Sequence, residues 1–186
     1  MIELAPLSVT AWQFPQDAIA GKQAFLKHWE HPQETWLRAY ALTMRELVNV
    51  MVPAQRTAPQ HVYVDRSQSA SPEQLVLLKE LVAAGVEVTV GTSPAGKEFI
   101  AHSKAYTSAD GSSWMGSWNF SESASSQVND AFAFKSELWR DSTIKAFEED
   151  VQYAWTVERG FQIMPAPPKS YVAPKAASIE YVSGLG

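Results

Sequence analysis

The spacing of apolar residues along the chain alternates between the two-residue period of strands and the 3.6-residue period of helices. Strand-like segments cover residues 8–14, 35–42, 61–65, 86–90 and 131–134, with two more on either side of an Asp-Gly turn at 110–111. Helical patterns cover residues 16–30, 43–52, 71–84 and 141–157. Strands that alternate with helices predict an α/β fold, a mixed sheet with helices on both faces.

Two of the helices carry recognisable start and stop signals. Ser71 is a good N-cap for a helix that is expected to end at Gly85. Thr43 and Glu46 have the spacing of a capping box, and Pro53 is expected to end the helix that they begin. These signals fix the order of helices and strands in the first half of the chain.

Composition favours one domain followed by a tail. The chain has 186 residues, of which 46% are hydrophobic, which is enough for a globular domain with a sizeable core. We expect this domain to span residues 6–158. Residues 159–186 are proline-rich and predict an extended C-terminal tail.

Charge and targeting signals narrow the class of protein. The net charge of -5 lacks the basic footprint that favours nucleic-acid binding, so a polyanion would have to be held by a local cluster of donors. The N-terminal segment has no signal-peptide pattern, and no stretch approaches the roughly 18 apolar residues of a membrane span. We therefore expect a soluble, cytoplasmic protein without stable membrane insertion.

Metal and cofactor signals are weak. The chain has no cysteine, which excludes disulfides and thiolate metal sites. His28 and His31 could face one ion from a helix, but no third ligand is evident, and a solvated helix end is the simpler interpretation. We expect neither a metal site nor a cofactor.

A first phosphate-binding pattern occurs in residues 91–97, GTSPAGK, after a predicted strand. It matches the P-loop sequence G-x-x-x-x-G-K, but the next position should be Ser or Thr to bind Mg²⁺. The chain has Glu98 there, which would repel a triphosphate, and no helix-start signal follows. We interpret the segment as a loop that leads into the next strand.

A second pattern lies on the two strands around the Asp-Gly turn. His102 and Lys104 are two residues apart, and so are Ser117 and Asn119. Each pair faces one side of its strand, and a hairpin brings the two pairs together. An imidazole, an ammonium, a hydroxyl and a carboxamide in one place suit a phosphate. The alternative is a solvated hairpin face that carries unrelated polar residues.

These residues carry a family resemblance. His102-Ser-Lys104 followed by Gly116-Ser-Trp-Asn119 resembles the motif H-x-K-x4-D-x6-G-S-x-N of the phospholipase D superfamily. The order of strands and helices over residues 8–157 is similar to that of the small single-motif members, the Nuc-type endonucleases. The resemblance implies a phospholipase D-like α-β-α sandwich and cleavage of phosphodiesters.

Two acidic positions depart from the family pattern. The family aspartate should stand at position 109, where this chain has Ala109 and Asp110 follows. An acidic residue eleven positions beyond Asn119 recurs in Nuc-type members as glutamate, and here it is Asp130. By resemblance both aspartates are candidate site residues that could hold the far nitrogen of a catalytic imidazole. For Asp130 a role at a strand entry is the alternative.

The resemblance also implies a mechanism. Neutral His102 would be the nucleophile and form a phosphohistidine, while Lys104, Asn119 and Ser117 would neutralise the phosphoryl oxygens without a metal. A second histidine must protonate the leaving oxygen, and the chain has only one His-x-Lys. Single-motif members pair two chains about a two-fold axis, so a homodimer is expected, with both copies of His102 in one site.

We expect a metal-independent phosphodiesterase, namely a nuclease that acts on DNA rather than RNA. A phospholipid-directed hydrolase or phosphatidyl transferase is the alternative enzyme, and a dimeric binding module with an inactive site is the alternative from another class. Trp114 and Trp118 are expected to pack in the core, with stacking on a base or lipid as the other option. Arg45, Arg66 and Lys97 could line a substrate groove.

Overall fold

The molecule is built on one mixed β-sheet, and a computed structural model describes residues 8–69, 71–96, 99–153, 158–159 and 162–163. The strands are β1 (Thr10–Phe14), β2 (Thr35–Ala39), β3 (Gln60–Asp65), β4 (Glu87–Gly91), β5 (Lys104–Ser108), β6 (Ser112–Gly116), β7 (Asn129–Lys135), β8 (Glu158–Arg159) and β9 (Gln162–Ile163). The helices are α1 (Ala18–Lys27), α2 (Arg45–Ala54), α3 (Arg66–Ser69), α4 (Pro72–Ala83) and α5 (Glu137–Tyr153). Short 3-10 helices cover His28–Glu30 and Ser123–Ser126.

The strand order is β1-β7-β6-β5-β2-β3-β4-β8-β9. Strands β2, β3 and β4 are parallel, whereas β5 is antiparallel to β2, and β6, β7 and β1 continue the sheet in antiparallel pairs. The parallel strands therefore end at the edge where β5 and β7 begin and where β6 ends. We call this edge the carboxyl edge, and the other one the opposite edge.

Helices cover both faces of the sheet, as the sequence predicts. On one face α1, α2 and α4 enclose the main core, in which Phe25 contacts the rings of Trp114, Trp118 and Phe120. On the other face α5 packs its Phe147 against Tyr63 of β3. The two tryptophans are 1% and 0% exposed, so the expectation that they pack in the core is confirmed.

Two expectations for α2 are wrong. Met44 and not Thr43 is the N-cap residue, and no side-chain cap forms, because Glu46 is instead paired with Lys22 of α1 at 2.6 Å. Pro53 lies inside the last turn and does not end the helix, since the N–H of Gln55 still donates to the carbonyl of Met51 at 2.9 Å. Contacts distant in sequence overrode the local signals here.

The other helices differ from expectation mainly at their ends. Ser71 caps α4 as predicted by accepting a hydrogen bond from the Gln74 N–H at 3.2 Å, and Gly85 follows the helix with a φ of +88°. Helix α5 begins four residues earlier than predicted, because the Ser136 hydroxyl accepts a hydrogen bond from the Trp139 N–H at 3.1 Å. Most residues of the predicted tail lie outside the described part of the chain, and the domain boundary stays a prediction.

Candidate active site

The motif residues lie at the carboxyl edge of the sheet. His102 is in the loop just before β5 and not on a strand as predicted, and Lys104 is the first residue of β5. Ser117 and Asn119 follow the end of β6, and Asp130 is the second residue of β7. Because β5, β6 and β7 are neighbours in the sheet, five of the six predicted site residues come to one edge.

His102 presents an exposed imidazole at this edge. Its ring meets the ring of Tyr40 edge-on, with 4.5 Å between centroids and an interplanar angle of 63°. Partial burial and the charge of Lys104 lower the pKa of His102, against an opposing effect of Asp65. The lowered pKa favours the neutral imidazole, which is the state that a nucleophile needs.

Lys104 is a buried cation, with only 5% of its surface exposed. Its Nζ donates to the carbonyl of His102 at 2.9 Å and lies 5.0 Å from the centroid of the Tyr40 ring. Burial lowers the pKa of Lys104 to about 8. Within the described ranges no salt bridge joins this ammonium to a carboxylate, so its charge can act on a bound anion.

Ser117 and Asp130 extend the pairing of β6 with β7 by one step. The Ser117 N–H donates to the Asp130 carbonyl at 2.9 Å, and the Asp130 N–H donates to the Ser117 hydroxyl at 2.9 Å. Both side chains are exposed. In the described part of the chain no hydrogen bond joins Asp130 to His102, so a single chain does not display the imidazole contact that the resemblance implies.

The glycine of the Gly-Ser-x-Asn segment is required by packing. A Cβ at Gly116 would lie 2.1 Å from the carbonyl oxygen of Asp130 and 2.8 Å from the Cα of Ala131. Both atoms belong to the backbone of β7, so no side-chain rotation can relieve the contact. Gly116 thus allows β7 to approach closely and places Asp130 beside Ser117.

The Gly116→Ala variant should lower the free energy of unfolding by about 3 kcal/mol, the upper end of the usual cost of overpacking. Gly85→Ala is the matched control, because its new Cβ would meet nothing closer than 4.0 Å and it suffers only from the positive φ. That control should lose about 1 kcal/mol. Urea unfolding measures both values, and equal losses would contradict the close approach of β7.

Asn119 carries unused hydrogen-bonding capacity. Its Oδ1 is buried and has no hydrogen-bond partner among the described residues. The segment around it is rigidly held, since Trp118 and Phe120 are fully buried and the Phe120 carbonyl accepts hydrogen bonds from the N–H groups of Thr43 and Met44 at 2.9 and 3.0 Å. A buried polar atom without a partner is costly, which is typical of a group kept for a ligand.

Asp110 lies at the opposite edge, in the turn between β5 and β6. The length of β5, roughly 14 Å at the usual rise of a strand, separates it from the motif residues. Its carboxylate accepts hydrogen bonds from Ser108, Ser112 and Lys135 at 2.7 to 3.0 Å. Burial opposes them, but these hydrogen bonds hold the pKa of Asp110 well below its usual range. The structure thus gives this residue a role in the turn and does not bring it to the site.

Two residues at the site have no signal in the sequence motif. Tyr40 follows β2 and contacts both His102 and Lys104. Asp65 ends β3, where its Oδ2 accepts a hydrogen bond from the N–H of Ala101 at 2.6 Å. An acidic residue at the end of a buried parallel strand is a recognisable signal, but the ring that follows β2 is not.

The structure also describes most of the other two candidate sites, the P-loop-like segment and the pair of histidines considered for a metal. Gly91 ends β4, residues 92–96 form a loop, and no helix lies in residues 99–103, which agrees with the interpretation of this segment as a loop. His28 is stacked on Tyr106 with 4.4 Å between centroids, and burial lowers its pKa to about 4 against the charge of Asp110. Across the described ranges no group of three or more His, Cys, Asp or Glu residues could hold a metal ion.

The three basic residues predicted to line a substrate groove differ in their position and contacts. Arg45 forms a salt bridge with Glu80. Arg66 is exposed directly after Asp65, near the carboxyl edge, and Lys97 lies outside the described residues. Arg66 is therefore the one whose place fits a substrate groove. In the described part of the chain, no helix is long and apolar enough to cross a bilayer.

Several solved structures have a fold similar to that of this chain, although their sequences are only distantly similar. No family model and no curated protein matches the sequence. Among solved structures, the phospholipase D family member Nuc from Salmonella typhimurium is similar at a TM-score of 0.71 and 14% identity, over 87% of this chain and 100% of that one. NucT from Helicobacter pylori is similar at a TM-score of 0.68 and 12% identity, over 80% of this chain and 98% of that one.

A larger protein shares the same architecture. Phosphatidylserine synthase from Haemophilus influenzae is similar at a TM-score of 0.59 and 9% identity, over 88% of this chain but only 41% of that one. The match to Nuc spans the full length of that chain and most of this one. The chain therefore has the α/β fold of the phospholipase D family.

Proposed function

We propose that the protein is a metal-independent phosphodiesterase that cleaves nucleic acid through a phosphohistidine at His102. The observation that carries this proposal is the exposed imidazole of His102 beside the buried, unneutralised ammonium of Lys104. Ser117 and Asn119 lie at the same edge with groups that can bind phosphoryl oxygens. The similarity to Nuc and NucT over almost their full length supports the same conclusion.

The chemistry needs one nucleophile and one acid. A ring nitrogen of His102 forms a bond to phosphorus while the bond from phosphorus to the leaving oxygen breaks, and a second imidazolium gives that oxygen its proton. Water then attacks phosphorus and gives a proton back to the second imidazole, and the phosphorus–nitrogen bond breaks. Lys104 and Asn119 stabilise the charge that develops on the phosphoryl oxygens in both steps.

The second imidazole must come from another copy of the chain. His28 is half-buried, where its ring stacks on Tyr106 and its Nε2 lies 3.0 Å from the hydroxyl of Thr35, the first residue of β2 and so toward the opposite edge. His61 lies near the opposite edge, where its ring nitrogens contact Glu87 at 2.7 Å and Glu34 at 3.0 Å. His31 precedes β2 and so also lies toward the opposite edge. None of the other three histidines can reach His102, so the proposal requires a homodimer with a shared site.

An open part of the sheet offers a surface for this partner. Helix α5 packs over β2, β4 and β5, and the same face of β1, β7 and β6 carries Ala11, Phe132 and Met115 side by side in register. Phe132 is 39% exposed although it lies mid-strand. Asp130 follows on the same face at the carboxyl edge, so this surface is continuous with the site. We call the patch of Ala11, Phe132 and Met115 the open face.

Two functions other than that of a nuclease are each favoured by a specific observation. The similarity to phosphatidylserine synthase supports a lipid-directed hydrolase or transferase as the second candidate. A dimeric binding module without activity is the third, motivated by Ala109 and by Asp130 in place of a longer acid. We place DNA ahead of RNA as the substrate, and the protein itself in the cytoplasm.

A substrate panel in EDTA separates these functions. Purified protein is incubated with plasmid DNA, single-stranded DNA, RNA and phosphatidylcholine vesicles, beside His102→Ala protein purified in the same way as a blank. Nucleic-acid cleavage that survives EDTA and is missing from the blank supports the proposal. Choline release without DNA or RNA cleavage selects the lipid enzyme, and inactivity on every substrate with an intact dimer selects the binding module.

The dependence of the cleavage rate on pH should be bell-shaped. The acid limb lies below the ordinary histidine pKa, because partial burial and the charge of Lys104 lower the pKa of His102, which must be neutral to attack. The alkaline limb has two sources: the two copies of His102 titrate as a coupled pair in which one must keep its proton, and Lys104 loses its charge as the pH passes about 8. A flat profile of kcat/KM between about pH 5 and 9 would contradict this mechanism.

A further inference from the structure

Among the residues that the structure describes, Tyr40 is the one whose ring contacts both members of the His-x-Lys pair. Its ring and the His102 imidazole are in contact at an interplanar angle of 63°, with 4.5 Å between centroids. The Nζ of Lys104 lies 5.0 Å from the centroid of the same ring. An aromatic face attracts a cation, so one side chain places the proposed nucleophile and the proposed phosphate-binding charge relative to each other.

Tyr40 is itself held on two sides. Its N–H donates to the carbonyl of Ser103 at 2.7 Å, which fixes the backbone between His102 and Lys104. Its hydroxyl accepts a hydrogen bond from Gln68 Nε2 at 2.9 Å, which connects it to α3. The ring is half-buried, and turning it away would break the hydrogen bond from Gln68.

The chemistry of the contact suits an anion-binding site. A carboxylate beside Lys104 would hold the ammonium equally well, but it would neutralise the charge that a phosphodiester needs. An aromatic ring attracts the ammonium without cancelling its charge and excludes water from one side of it. Asp65, the nearby acid, uses Oδ2 on the Ala101 N–H and Oδ1 on Ser67, and thus holds the loop before His102.

We propose that Tyr40 is a positioning residue, whose ring fixes the imidazole of His102 and keeps the ammonium of Lys104 buried and available to the substrate. This inference rests on the proposed phosphodiesterase function. It assigns the effect to the ring and not to the hydroxyl. The burial that lowers the pKa of Lys104 to about 8 is consistent with it, since the ring forms one wall around that ammonium.

Variants of Tyr40 test the inference through activity. Tyr40→Phe and Tyr40→Trp keep an aromatic face and should retain kcat within about threefold, whereas Tyr40→Leu removes it and should lower kcat about 10- to 100-fold. KM should change by less than about threefold in all of them, because the ring does not touch substrate. If Tyr40→Phe loses as much as Tyr40→Leu, the hydroxyl and not the ring is responsible and the inference is overturned.

Titration of Lys104 tests the inference independently of activity. In protein labelled with ¹³C at the lysine ε-carbon, the Lys104 resonance should titrate about half a pH unit lower in Tyr40→Leu than in wild type, because leucine keeps an apolar wall but does not attract the ammonium, and it should be unchanged in Tyr40→Phe. The Lys104→Arg variant identifies the resonance. Should Tyr40→Leu not fold, Tyr40→Met is measured in its place. Equal titration in wild type and the aliphatic variant overturns the inference.

The two proposals fail in different ways. A wild-type protein that cleaves none of the substrates overturns the phosphodiesterase, whereas the titration still decides whether the Tyr40 ring stabilises the ammonium of Lys104. An active protein whose Tyr40→Leu variant keeps full kcat overturns the positioning role and leaves the phosphodiesterase intact.

Discussion

Replacing His102 by alanine should lower kcat for phosphodiester cleavage by at least about a thousandfold. The reason is that the covalent step has no other nucleophile: His102 is the one imidazole that reaches the carboxyl edge, and its lowered pKa favours the neutral form. The remaining rate would come from charge stabilisation by Lys104 and Asn119 alone. The rate is measured on the best substrate of the panel, at saturation and in EDTA.

The matched control is His31→Ala. His31 is also exposed but lies toward the opposite edge of the sheet, so its removal should change kcat by less than about twofold. Circular dichroism and thermal unfolding establish that both variants fold. A His102→Ala protein that retains a tenth of the wild-type kcat would rule out this residue as the nucleophile.

A trapped intermediate gives the same answer without a variant. Rapid quenching of wild-type protein during turnover should capture a phosphoryl group on His102, which is stable to base and labile to acid as a phosphorus–nitrogen bond requires. Peptide mapping by mass spectrometry locates the adduct. An adduct on Ser117, or on any other residue, would contradict the assignment.

An excess of His102→Ala protein should suppress the activity of the wild-type protein. A site that two chains share needs the imidazole of each, so a mixed dimer is inactive. At a tenfold excess with free exchange of subunits, roughly one in eleven wild-type chains still pairs with another, and activity should fall about tenfold. The activity of the mixture is compared with that of wild-type protein diluted to the same extent.

Variants on the open face show whether suppression depends on dimer formation. Phe132→Glu places a charge in the centre of the patch and should make the protein monomeric by analytical ultracentrifugation, with activity below about 1% of wild type. The double variant Phe132→Glu/His102→Ala should no longer suppress. Ile19→Glu is the control, because Ile19 is 77% exposed on α1, on the other face of the sheet. A monomeric wild-type protein with full activity would overturn the shared site.

The elements that could be predicted from the sequence are those with strong local signals. The apolar periods identified the main strands and helices, and Ser71 capped α4 as expected because its hydroxyl needs only the N–H three residues later. The capping box at Thr43 failed because Lys22, from another helix, binds the glutamate that the box requires. A competing partner 24 residues away leaves no trace in a local pattern.

In the candidate site, too, residues with a local sequence signal could be predicted, and those placed by distant parts of the chain could not. His102, Lys104, Ser117 and Asn119 stand in one short motif, and their approach follows from a hairpin alone. Tyr40 comes from β2, whose position next to β5 depends on the order of the whole sheet, so no reading of the motif could name it. Asp110 is a candidate only through the resemblance, which places an acid one residue earlier, although a residue in the turn necessarily lies a full strand away from residues at the hairpin's base.

The place of Asp110 changes how related sequences should be searched. Its carboxylate organises the bend between β5 and β6 through Ser108 and Ser112, so an acid at position 110 shapes a connection that lies a strand's length from the motif residues. A search profile for such enzymes should therefore leave the bend unconstrained and give its weight to the residues at the base of the hairpin. Chains discarded for a missing aspartate would then be recovered as candidates for assay.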